Sequence, residues 1–188
     1  WGATGNQAFR IGVTPSSNTV KVDLKVQGSS TVQTITGTYT GSGWHHVAFV
    51  VDGAEARLYL DGSKKGSAAL TAGIAASAVA MRMGARVNSS GTLEQYFKGY
   101  LDEIRISNTP RYSGTTFTPE PRFMMDSATV IYYRADQFQF NSLFDATENY
   151  LHGRVYDSYY YSADTVATKC APLDNYPPSS PVVEIRPI

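Results

Sequence analysis

The sequence predicts an all-β protein built from antiparallel strands. Three observations lead there. Charged residues make up 17% of the chain while Gly stands at 16 and Tyr at 13; typical domains carry about 25% charge, and this composition suits pleated, half-buried strands better than a helical bundle. Residues 19–26 (TVKVDLKV) alternate apolar and polar along their whole length, which is the period of a strand with one wet face. Turn signals recur every 8–12 residues or so, the spacing of a sandwich or barrel.

Length and charge set further bounds. At 188 residues one domain, or one domain with extensions, is expected, and such a chain can bury about 70% of its unfolded surface without a disulfide or metal. Lys+Arg and Asp+Glu both number 16, which argues against a nucleic-acid binder that works by neutralising phosphates. The single cysteine, Cys170, excludes an intrachain disulfide and a cysteine-based zinc site. No apolar run reaches the about 18 residues of a spanning helix, so no membrane insertion is expected. The sequence shows no signal-peptide pattern. It opens at Trp1 rather than Met, and a segment of a longer polypeptide is expected.

Along the chain, Val20, Val22, Leu24 and Val26 share one face of the first clear strand, opposite Lys21, Asp23 and Lys25. Gly28-Ser29-Ser30 breaks it. Residues 31–40 are rich in Thr and β-branched side chains, a second strand, closed by Gly41-Ser42-Gly43. Residues 44–51 (WHHVAFVV) are apolar at both parities, as in a strand buried on both faces. Asp52-Gly53 and Asp61-Gly62 bracket an alternating strand at 57–61. Residues 68–83 read as a loop and then a strand through Val79, Met81 and Met83. Residues 96–107 read as one long strand. Pro110, Pro119 and Pro121 mark an extended crossing segment. A strand at 129–134, a turn-rich loop at 142–150 and a Tyr-rich strand at 153–161 follow. Pro172, Pro177, Pro178, Pro181 and Pro187 make 167–188 an extended tail or linker.

The text GWHHVAFVVDGAEARLYLDG at 43–62, followed by Met83-Gly84 and FKGYLDEIRIS at 97–107, resembles the laminin-G-like domains of the concanavalin-A-like lectin/glucanase superfamily. RYSGTTFTPEPRF at 111–123 resembles the exit segment of such domains in bacteriophage tail proteins and large bacterial surface proteins. DSATVIYYRAD at 126–136 and LFDATENYLHGRV at 143–155 resemble the family's opening segment, although Arg134-Ala135-Asp136 stands where a Phe-Asp pair is usual. The resemblance covers about 8–160. It implies an antiparallel β-sandwich of jelly-roll type over 1–166, with opening strands supplied by 127–161. On this reading residues 129–134 or 153–160 share the sandwich of 97–106. The competing reading makes 127–161 the start of a next sandwich in a tandem array.

The resemblance also sets functional expectations. The first is a non-enzymatic recognition module for a cell-surface glycan or other surface component, in a phage tail, virion or secreted surface protein, hence extracellular or on the virion surface. The second is a structural sandwich in a large assembly that binds only neighbouring subunits. The third is an accessory domain of a secreted glycoside hydrolase or sialidase. No catalysis is expected from this chain: there is no Glu-x-Asp-x-x-Glu pattern and no Gly-x-Ser-x-Gly elbow. His45 and His46 are adjacent in a strand and so point to opposite faces, which suits a structural role rather than a shared ligand site. Asp102 shares parity with Tyr100, Ile104 and Ile106, a costly place for a carboxylate without a partner. The resemblance implies that it holds a structural calcium with Asp136; the bland alternative is that it accepts backbone N–H bonds at a bulge. Seven of the thirteen tyrosines fall within 132–161, suited to cross-strand packing or to an interface. Tyr96 and Tyr112 are the loop-borne candidates for sugar stacking. Asn88-Ser89-Ser90 matches a glycosylation sequon to which no role is given.

Overall fold

The computed structural model describes residues 8–77, 80–139 and 142–155. The tail 167–188, Cys170, Val79 and the tyrosines of 156–161 lie outside them, as does the side chain of Asp136. The described chain is all-β and antiparallel. Strands β1 (Phe9–Thr14), β2 (Thr19–Lys25) and β3 (Val32–Thr38) form one sheet in that order. Strands β4 (Val47–Val51), β5 (Glu55–Leu60) and β6 (Ser63–Ala69) form a second. A short hairpin joins β7 (Arg86–Val87) to β8 (Leu93–Glu94). The last sheet runs β12-β11-β10-β9, from β9 (Ile104–Ser107), β10 (Thr129–Gln139), β11 (Ser142–Asp145) and β12 (Gly153–Arg154).

The first two sheets pack face to face. Their shared core joins Val20, Val22, Leu24, Val26 and Ile35 to Ala56, Leu58 and Leu60. This is the apolar parity of β2 meeting one parity of β5; each fully buried Val or Leu contributes about 1.5–3 kcal/mol. The opposite face of β2 carries Asp23, whose carboxylate takes Arg10 from β1 and Thr34 Oγ1 (2.8 Å) from β3, both directly across the ladder. Burial opposes ionisation of Asp23, but these partners hold it below its ordinary value.

It is β5, not 44–51, that is buried on both faces. The strand β4 lies at the side of its sheet and is mostly half-buried. The second face of β5 is covered by the Pro-marked crossing segment: Tyr59 donates its hydroxyl to the Gly114 carbonyl (2.7 Å), and Lys64 N–H bonds the Thr115 carbonyl (2.8 Å). Tyr112 and Phe117 stack 3.6 Å apart, with Tyr59 against them edge-on. That segment then delivers the chain to β10, which pairs with β9 through Thr129↔Ser107, Ile131↔Ile106, Tyr132↔Arg105 and Tyr133↔Ile104. Residues 129–133 therefore share a sheet with 104–107 of the same chain.

Several expected strands are shorter or displaced. Only 104–107 of 96–107 is strand, because Gln95 and Glu103 adopt left-handed backbone at φ +52° and +49°. Residues 81–83 are not strand, and the loop expected from 142 opens with β11. Strands β1 and β6 and the β7–β8 hairpin were not anticipated. The segment SKKGSAA of β6 offers no apolar alternation to betray it.

Candidate functional site

At one end of the first two sheets, the β1–β2 connection meets the loop between β3 and β4. Tyr39 N–H bonds the Asn18 carbonyl (3.0 Å), tying the two together. Asn18 is left-handed (φ 49°) after the 3₁₀ turn Pro15–Ser17. Gly41 and Gly43, at φ +89° and +108°, fold the second loop back on itself. Between them lies an open cleft of about 230 Å³ lined by Pro15, Asn18, Tyr39, Gly41, Ser42, Gly43 and His45. Tyr39 and His45 are buried and their rings meet at 4.5 Å.

Asp61 holds His45 and the backbone of His46 in place. Its Oδ2 lies 2.9 Å from His45 Nδ1 and its Oδ1 accepts the His46 backbone N–H at 2.9 Å. Asp61 N–H in turn donates to the His46 carbonyl (2.9 Å). Asp61 and Gly62 have φ +50° and +77°, the two positive values of a type I′ hairpin turn between β5 and β6. One Asp-Gly turn therefore closes a hairpin and orients a histidine. A carboxylate only accepts, so His45 Nδ1 carries hydrogen in this pair.

The histidines point apart, although they precede β4 and are not in the strand that the sequence had suggested. His46 packs against Phe117 (5.4 Å), Phe123 (6.1 Å) and Tyr112 (6.3 Å), each edge-on. Burial pushes its pKa down to about 4, the Asp61 carboxylate opposing this and Arg105 adding to it. It is a neutral core imidazole at pH 7.

A family model of laminin-G type, described as the concanavalin A-like lectin/glucanases superfamily, matches residues 2–113. The chain belongs to the concanavalin A-like lectin/glucanase superfamily. No curated protein and no solved structure matches it. The matched span of this lectin-like domain includes both sheets of the sandwich, the cleft and β9; β10 to β12 follow it and attach through the β9–β10 ladder.

The residues singled out from sequence fall in different places. Tyr96 is 60% exposed beside the β7–β8 hairpin. Phe97 N–H bonds the Gly84 carbonyl there (2.7 Å). Tyr112 has one ring face covered by Phe117 and its hydroxyl 3.3 Å from Arg105; burial raises its pKa. Asp102 is half-buried, and its Oδ1 accepts the Glu103 N–H (2.9 Å). Asp136 lies on β10, its side chain outside the described residues. Calcium takes six to eight oxygens, and the described residues contain no cluster of three or more His, Cys, Asp or Glu able to hold a metal.

Two acidic residues escaped the sequence reading. Glu103 is the buried one of its pair: its Oε2 accepts from the Tyr132 hydroxyl (2.5 Å) and the Phe123 N–H (3.1 Å). Asp145 organises the loop before β12, accepting N–H bonds from Tyr132, Thr147 and Leu151 and the Thr147 hydroxyl at 2.7 Å. Burial works against its charge, but these bonds hold its pKa below the ordinary value.

Proposed function

We propose that this domain is a non-enzymatic recognition module that binds a cell-surface glycan in the cleft over Tyr39 and His45. The observation that carries the reading is the cleft's make-up. Its lining includes two ring side chains, Tyr39 and His45, together with the hydroxyl-bearing Ser42 and the amide-bearing Asn18, and all of these sit on loops at one end of a lectin-like sandwich. Sugars ask for such a pairing of apolar ring faces with hydrogen-bonding edges. Glycoside hydrolysis asks for two carboxyls flanking the bond, and the lining residues include no Asp or Glu. Tyr96, 60% exposed beside the β7–β8 hairpin, is a second candidate ring outside the cleft. At about 0.3 kcal/mol per heavy atom, one sugar ring binds with a Kd on the order of millimolar, so useful affinity comes from many copies. The setting we propose is a phage tail or virion surface, or a secreted bacterial surface protein; its support is the likeness of 111–123 to the exit segments of such domains.

The test is a glycan array read with the isolated chain, then with Ser42→Trp, which fills the cleft from an exposed loop position. Binding without turnover, lost in Ser42→Trp at unchanged melting temperature, is expected. Turnover, no binding to any glycan, or unchanged binding by Ser42→Trp overturns the reading. A second reading, a structural module that contacts only neighbouring subunits, is favoured by the exposed pair Met124 (75%) and Met125 (55%). It predicts self-association or subunit binding that the paired change to Ser abolishes.

A further inference from the structure

We infer that the cleft selects uncharged sugar rings against acidic ones, and that Asp61 sets this selectivity from behind His45. The inference rests on the glycan reading above and adds the class of sugar. No Lys or Arg lines the cleft among the described residues, so a carboxylate or sulfate entering it meets no counter-charge. The charge bonded to a lining residue is negative: Asp61 Oδ2 sits 2.9 Å from the Nδ1 of His45, a ring that itself lines the cleft, and the Asp61 side chain is 48% exposed. An anion touching the His45 ring therefore meets a like charge bonded to that same ring. Repulsion across the ring and a contact distance on either side, in the mixed dielectric of a protein surface, disfavours it by roughly 3- to 10-fold in affinity. The cleft, about 230 Å³ and open to solvent, is smaller than the roughly 300–1,000 Å³ of drug-sized sites. Asp61 touches no ligand in this scheme. It is a positioning residue that holds His45, and its charge reaches the cleft through that ring.

Asp61→Asn removes the charge. Asn tolerates the left-handed backbone that this turn position requires and retains a carbonyl oxygen for the His46 N–H, while its NH2 group faces His45 Nδ1, which must take the other tautomer to accept from it. The probes are methyl glucoside, methyl galactoside and methyl N-acetylglucosaminide, against glucuronate and N-acetylneuraminate, titrated at pH 7 in low salt and followed by ligand-observed NMR. The wild type is expected to bind the best neutral probe at least about 3-fold more tightly than either acid. Asp61→Asn should raise the ratio of acidic to neutral affinity by a similar factor, whatever it does to binding as a whole, a change in ratio that a merely structural role does not give. Raising the salt should narrow the gap in the wild type, which keeps the test alive if the variant folds poorly. Equal or tighter binding of the acids by the wild type overturns the inference and leaves glycan recognition standing. So does an unchanged ratio in Asp61→Asn, or a gap that salt does not move. Binding that survives Ser42→Trp places the site elsewhere and sinks the inference with the cleft. No binding to any probe overturns the inference, and only an empty glycan array extends that failure to the function.

Discussion

Gly62 lies directly under the backbone of Phe117. A Cβ on Gly62 would stand 2.0 Å from the Phe117 carbonyl oxygen and 2.9 Å from Pro119 Cδ, while the Phe117 N–H already bonds the Gly62 carbonyl at 2.8 Å. The turn that closes β5 onto β6 is thus also the seat of the crossing segment. Gly62→Ala meets backbone rather than a flexible side-chain end, and it adds a left-handed penalty at φ +77°. We expect a loss of about 3 kcal/mol, or roughly 6–12 °C in melting temperature for a chain of this size. A drop under about 2 °C would show that the segment does not seat there.

Tyr96 and Tyr112 should part company on substitution. Tyr112→Ala removes the ring stacked on Phe117 and the hydroxyl beside Arg105, a loss of about 2–3 kcal/mol for a half-buried aromatic. Tyr96→Ala removes an exposed ring and should leave stability within about 0.5 kcal/mol. Its effect should fall on binding alone, a several-fold weakening for oligosaccharides and none for single rings. Unaltered oligosaccharide affinity removes Tyr96 from the site.

What the sequence disclosed follows from where alternation survives. The strand β2 shows its faces because every second residue is apolar and the whole strand keeps its register against β1 and β3. The Asp-Gly turn at 61–62 shows itself because few other residues accept two positive φ values in succession. Asp102 is half-buried and accepts the Glu103 N–H, the backbone-capping alternative that its place on an apolar face suggested. The left-handed backbone at Glu103 breaks the alternation there, and that is why burial of Glu103 was not legible from parity. The cleft was hidden for another reason. Tyr39, Ser42 and His45 share the β3–β4 loop, but Asn18 joins them from the β1–β2 connection only on folding, and no local spacing marks the set.

Asp102→Ala distinguishes a cap from a cation site. Loss of one acceptor at the Glu103 N–H should cost about 0.5–1.5 kcal/mol, equally in calcium and in chelator. A wild-type melting temperature that rises with calcium, with the rise abolished by Asp102→Ala or Asp136→Ala, would show instead that the two aspartates hold the ion.

His46 should give this fold a measurable acid sensitivity. Its imidazole is 5% exposed, boxed by Tyr112, Phe117 and Phe123, and its Nδ1 makes no hydrogen bond among the described residues. Burial lowers its pKa from 6.5 to about 4; Asp61 resists that shift and Arg105 assists it. Between those two values the unfolded chain binds a proton that the folded chain refuses, so stability falls as the pH drops from about 6.5 to about 4 and levels off below. The full loss is of the order of 3 kcal/mol, since each pKa unit is worth about 1.4 kcal/mol. Asp23 and Asp145, held below the ordinary 3.8, lose their contributions only at more acid pH, so the window above pH 4 belongs to His46. Thermal melts across pH 4–7 should show the slope in the wild type and a flatter profile in His46→Phe, which keeps a ring in the box and the backbone N–H on Asp61. A wild-type profile that is flat from pH 6.5 to 4, or an equal slope in His46→Phe, would show that this imidazole does not seal the crossing segment against the sheet.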